Sequence, residues 1–134
     1  MKIDVVQPEG WKPPRGYANA ARVHDAAKLV FVAGQVAWDA DQKLVGTNDF
    51  AAQFAQALKN VVTLVRAAGG EPQHIVRMTI YVTDRRQYLA ATREIGESWR
   101  ALLGKHYPAM SLIEVSGLLE PGALVEIEAT AALE

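Results

Sequence analysis

A chain of 134 residues fits one domain, and a core of that size withdraws roughly two-thirds of the unfolded chain's surface from water. Half of the residues are hydrophobic, 22% are charged, and the net charge is −1, which leaves no electrostatic footprint for a phosphate backbone or an anionic membrane. With no cysteine, disulfides, thiolate catalysis and cysteine-ligated metal sites are excluded.

The opening MKIDVVQPEGW has no long apolar run behind its lysine, and nowhere do ~18 apolar residues follow one another. The expectation is a cytoplasmic protein with no membrane span. A short strand at 3–6 leads into QPEGWKPPRG, whose prolines and glycines make it an extended surface segment. Residues 17–23 and 28–37 are β-rich, and the intervening HDAA suits a hairpin; Gly34 marks a bulge or a close backbone approach.

From Asp49, the apolar residues Phe54, Leu58, Val61, Val62 and Val65 recur at the three- and four-residue spacing of an amphipathic helix. Asn48 or Thr47 is expected to cap its start, and Gly69-Gly70 to end it. IVRMTIYVT is a β-rich run. Asp84, with Gln87 three residues on, offers a capping box for a second helix that aligns Tyr88, Ala91, Ile95, Trp99 and Leu102 on one face and stops before Gly104. Two last strands, 110–116 and 123–132, meet through GLLEPG, and in the second Val125, Ile127 and Ala129 alternate with Glu126, Glu128 and Thr130. The order β-β-β-α-β-α-β-β describes a single α+β domain over 1–134, with both helices packed on one face of a mixed sheet. The other face then needs cover, which self-association supplies economically.

The ordered set VAGQVAWD, AQFAQALKNVVTLVRAAGG, IVRMTIYVTD, YPAMSLIEVSGL and ALVEIEATA resembles the Rid family, also called YjgF, of enamine/imine deaminases, over residues 16–132. The resemblance implies a chorismate-mutase-like α+β fold and a homotrimer with small-molecule clefts between neighbouring subunits. It implies hydrolysis of reactive 2-aminoacrylate and its imine tautomers to 2-keto acids and ammonia, with neither metal nor organic cofactor. Carried over by position, Tyr17 in RGYANA and Gly34 in VAGQVA shape the cleft, with Ala33 where a serine is common. Glu126, the first carboxylate of VEIEA, falls where the family positions water or manages the proton. Ser111 offers a hydroxyl or backbone amide to the guest.

The departure is Met110: deaminating members carry arginine in a Pro-Ala-Arg-Ser run, and this chain reads Pro108-Ala109-Met110-Ser111. Arginine grips a carboxylate through two parallel charge-assisted bonds that methionine cannot make, and methionine instead fills adaptable apolar pockets. The guest is then a neutral or bulkier enamine, imine or carbonyl compound, unless a cation is resupplied by Arg15, Arg22, Arg77, Lys105 or His106. The rival reading is a non-catalytic trimer that binds a metabolite or a partner protein in the same cleft. Strand alternation alone makes Glu126 and Glu128 nothing more than a solvated face. His24, His74 and His106 lack ligand spacing, and no GxSxG, GxGxxG or phosphate loop occurs, so no metal, no cofactor and no nucleic-acid partner is expected.

Overall fold

The computed structural model describes residues 1–134. Strands β1 (Lys2–Val6) and β2 (Ala20–His24) form a two-stranded antiparallel ribbon. Strands β3 (Lys28–Gln35), β4 (Ile75–Val82), β5 (Ala109–Glu114) and β6 (Val125–Leu133) form a mixed sheet in the order β3-β6-β4-β5, in which only β4 and β5 run parallel. The helices are α1 (Phe50–Ala67), α2 (Arg85–Ala90) and α3 (Thr92–Leu103), with one 3₁₀ turn at Pro72–His74. No helix is long and apolar enough to cross a membrane.

Helix α1 buries Phe54, Ala57, Leu58, Val61, Val62 and Val65, the stripe its spacing predicts. Its cap is Asp49, not Asn48 or Thr47: the Asp49 carboxylate accepts from the Ala52 amide at 3.1 Å, with φ −121° and ψ 98°. Asn48 lies at φ 58°, in the left-handed region, and so cannot take the extended conformation a capping residue needs. At the other end Gly69, at φ 92°, turns the chain so that Gly70 N–H bonds Val65 O at 2.9 Å and Gly69 N–H bonds Arg66 O at 3.0 Å. These are the paired closing bonds of a glycine C-terminus.

The expected single second helix is two. Asp84 caps α2 through the Arg86 amide at 2.9 Å, but Gln87 returns no bond to complete a capping box, and the helix breaks at Ala91 (φ −113°, ψ 18°). The break lets Tyr88 meet Phe50 and Phe54 edge-on, at 6.3 Å in each case, while α3 sends Ile95, Trp99 and Leu103 into the core. Leu103 takes the deep place expected of Leu102, which is only partly buried.

Two strand neighbours also differ from expectation. Residues 17–37 make no hairpin, because β2 pairs with β1 and β3 with β6. Asp4 binds Arg22 at 2.6 Å and His24 at 3.0 Å across the ribbon, and Ala27 N–H turns to Leu133 O at 2.9 Å. The Arg22 guanidinium, helped by His24, holds the Asp4 carboxyl at about 2. Nor do β5 and β6 adjoin: β4 lies between them. Their connection starts with Val115 N–H on Val82 O (2.8 Å) and ends with Thr83 N–H on Leu124 O (3.2 Å), so it passes from one side of the end of β4 to the other.

One buried polar side chain secures that connection. Gln53 on α1, with no exposed surface, donates to Gly46 O (3.2 Å) and Gly122 O (3.1 Å) and accepts from Leu124 N (2.8 Å). Replacing it with alanine removes the side-chain partner of Gly122 O and Leu124 N and leaves Gly46 O only its bond from Asp49 N. Gln53→Ala is expected to lose about 3 kcal/mol of unfolding free energy in urea titration at unchanged secondary structure.

Candidate functional site

Strand β6 buries Val125, Ile127, Ala129 and Ala131 against the helices, so period-two geometry sends Glu126, Glu128 and Thr130 to the opposite, open face of the sheet. The register on β4 places Tyr81 opposite Glu126 and Thr79 opposite Glu128. The two carboxylates then diverge. The Tyr81 hydroxyl donates to Glu128 at 2.6 Å, and that bond, together with burial, pushes the Tyr81 pKa above its ordinary value. Glu126 accepts no hydrogen bond within the chain and lies against β3 at Gly34.

At Gly34 the ladder between β3 and β6 slips its register between Val32 and Gln35, the bulge its glycine suggested. A Cβ there would sit 2.5 Å from a Glu126 carboxylate oxygen, so only glycine admits Glu126 in this position. Ser111 of β5 is in register with Thr79 and shares the open face. Gly34, Glu126 and Ser111 therefore belong to one surface.

Met110 does not. It is in register with the fully buried Met78, points to the helix side, and lines a cavity of about 200 Å³ with Phe54, Ile80, Ile95 and Trp99. Tyr17 stands in the loop before β2, 42% exposed, and its neighbour Ala18 is anchored to β5 by a bond to Pro108 O at 3.1 Å. The RGYANA segment is thus laid along the start of β5, beside Met110, with Gly16 at the cavity.

Of the cations considered from sequence, Arg22 is occupied by Asp4, and the His106 ring is bonded to Ile75 O at 2.7 Å. Arg77 lies on the open face, four residues before Tyr81 on the same strand, so roughly 13 Å separates it from the level of Glu126. Arg15 and Lys105 are exposed. Two residues escaped the sequence reading. Tyr81 was legible only as one of the polar-register positions of β4, and Arg100 lines the Met110 cavity from α3.

The family model described as Endoribonuclease L-PSP matches residues 11–133. The crystal structure of a conserved Rid family protein of unknown function, YyfB from Yersinia pestis, is 36% identical, covers 99% of this chain and 100% of its own, and superposes with a TM-score of 0.86. The chain belongs to the Rid (YjgF) family. Among curated Rid relatives, the RutC family protein y4sK of Sinorhizobium fredii is 33% identical over 117 residues, 87% of this chain and 86% of its own. The 3-aminoacrylate deaminase RutC of Acinetobacter baylyi is 29% identical over 132 residues, 98% of each chain.

The contact between Gly34 and Glu126 in this Rid protein is directly testable. Gly34→Ala is expected to push the Glu126 side chain off β3 at a cost of about 1 kcal/mol or less, because the atoms met are the end of a flexible side chain on an open face. In the double variant with Glu126→Ala that cost should largely vanish, and a double-mutant cycle in urea reads the coupling.

Proposed function

We propose that this Rid protein hydrolyses a small enamine or imine to a carbonyl compound and ammonia in the cytoplasm, in a cleft formed between copies of the chain. The observation that carries this reading is the Glu126 carboxylate: it has no partner within the chain and is held against the bare backbone of Gly34, while neighbouring Glu128 is already engaged by Tyr81. A carboxylate in that state is available to orient water. The similarity to a relative named 3-aminoacrylate deaminase, an enzyme of an enamine acid by its name, supports the reaction class.

The chemistry asks little of the protein. Glu126 takes a proton from water as its oxygen attacks the electrophilic carbon of the protonated imine and returns that proton to the amine of the resulting carbinolamine; the carbon–nitrogen bond then breaks as the hydroxyl gives its proton to solvent, leaving the carbonyl compound and ammonia. Neither a metal nor an organic cofactor is called for. Glu126→Ala is expected to lower kcat/KM for the preferred imine at least roughly 100-fold, within the usual range for loss of a general base.

A second copy completes the site. Glu126, Gly34 and Ser111 lie on the open face, whereas Met110 opens on the helix side and the Tyr17 loop follows it, so one chain alone does not bring the five together. Leu29, Phe31 and Ile113, at 58%, 75% and 43% exposure, need cover on or beside that face. A homotrimer meets both needs. Light scattering should give about three times the 14.6 kDa chain mass, and Phe31→Glu should shift it to monomer.

Met110 supports a narrower rival, a trimer that binds its guest without turnover. Freshly generated 2-iminopropionate, trapped competitively by semicarbazide, separates the two. The hydrolase reading expects weak activity in the wild type and at least a roughly tenfold gain in Met110→Arg, from recovered charge-assisted bonds to the carboxylate. Silence in both, and with bulkier neutral imines, would leave the binding protein.

A further inference from the structure

The open face of the sheet carries two carboxylates that no cation of the chain neutralises. Glu126 and Glu128 stand two residues apart on β6, about 7 Å of strand, and neither enters an ion pair. Arg77 shares the face in register with Thr130, about 7 Å along β4 from the level of Glu128, and makes no ion pair with it. Arg22 is held by Asp4. In a cleft between copies, where water is displaced, such a face attracts a cationic guest more strongly than it would in bulk water.

The two carboxylates are prepared differently. Glu126 is free to move water, whereas Glu128 is fixed: the Tyr81 hydroxyl donates to its Oε1 at 2.6 Å, and no other group of the chain bonds it, so Oε2 stays open. The bond to Glu128, with burial behind it, raises the Tyr81 pKa, so the phenol remains a donor and Glu128 a charged acceptor. A charge-assisted bond of this length holds in one place a side chain that would otherwise sweep an open face. The register sets Tyr81 directly across from Glu126, within the ~4.5–5.5 Å Cβ spacing of cross-strand partners. Glu126, the phenol and Glu128 thus form one patch. An oriented anionic acceptor one step along the strand from a water-aiming carboxylate suits the N–H of a protonated imine, whose electrophilic carbon is bonded to that nitrogen.

We infer that Glu128, positioned by Tyr81, seats the protonated nitrogen of the substrate, and that the substrate class is a cationic imine of a simple amine, with no carboxylate of its own. The inference rests on the reading of Glu126 as the hydrolytic carboxylate and names the guest of that same site. A carboxylate on the guest would bring a third negative charge to a face that already holds two, and like charges brought together across an interface select against the partner that carries them. Glu128 is then a binding residue and Tyr81 a positioning residue, while Glu126 keeps the chemistry.

The probe is benzamidinium, a stable planar cation that resembles a protonated imine, titrated calorimetrically into the full-length protein beside benzamide, its neutral match, and 3-amidinobenzoate, which adds a carboxylate. Wild type should bind benzamidinium saturably and the other two at least roughly tenfold more weakly. Glu128→Gln, which keeps the shape and removes the charge, should weaken benzamidinium at least roughly tenfold and leave benzamide unchanged. Tyr81→Phe, which frees Glu128 without discharging it, should weaken benzamidinium by less, again with benzamide unchanged; Glu126→Gln should also cost less than Glu128→Gln. Absence of saturable binding, equal affinity for benzamide, or an affinity that Glu128→Gln leaves intact would each overturn the seat. Binding of 3-amidinobenzoate as tight as that of benzamidinium would overturn the substrate class. Benzamidinium binding that depends on Glu128, in a protein that turns over no imine, would uphold the seat and remove the hydrolytic role of Glu126 instead.

Discussion

The period-two alternation of β6 is the constraint on which the rest of the molecule depends. Because β6 is paired on both edges, by β3 and β4, neither its register nor its facing can slip without moving every neighbour. Val125, Ile127 and Ala129 commit one side to the core under α1, and that commitment alone delivers Glu126 and Glu128 to the other. The Gln53 side chain, bonded to the backbone just before β6, ties this strand's entry to α1 as well.

On the open face, two carboxylates two residues apart have different fates for local reasons. Glu128 has a tyrosine hydroxyl 2.6 Å away, which satisfies it and narrows its chemistry. Glu126 has the flat backbone of Gly34, which makes room for it without satisfying it. A β-bulge on β3 produces that room, and it is a feature of backbone register more than of side-chain identity. On the far side of the same sheet, methionine and four aromatic rings enclose a chamber of the opposite character. The sheet therefore separates a polar surface from an apolar pocket.

The strands and the buried stripes of α1 and β6 were readable because they rest on short-range periodicity: 3.6 in α1, two in β6. So was Gly34, since a glycine inside a strand pattern has few other uses. The break at Ala91 was not, because Tyr88, Ile95 and Trp99 fit one helical stripe on paper and are separated only by what Phe50 and Phe54 offer them in space. The cap of α1 went to Asp49 over Asn48 for a similarly local but invisible reason, the left-handed backbone of Asn48.

The sequence by itself determined the α+β class, the two-faced character of β6 and the family. Only the tertiary structure decided that β4 separates β5 from β6, that Met110 and Glu126 face opposite ways, and that Arg100 lies at the Met110 cavity. The physical reason is the range of the interactions. Alternation and helical spacing are written within a few residues, whereas strand order and the approach of α3 to β5 are chosen by packing between segments distant in the chain, where many sequences with the same local pattern have other solutions.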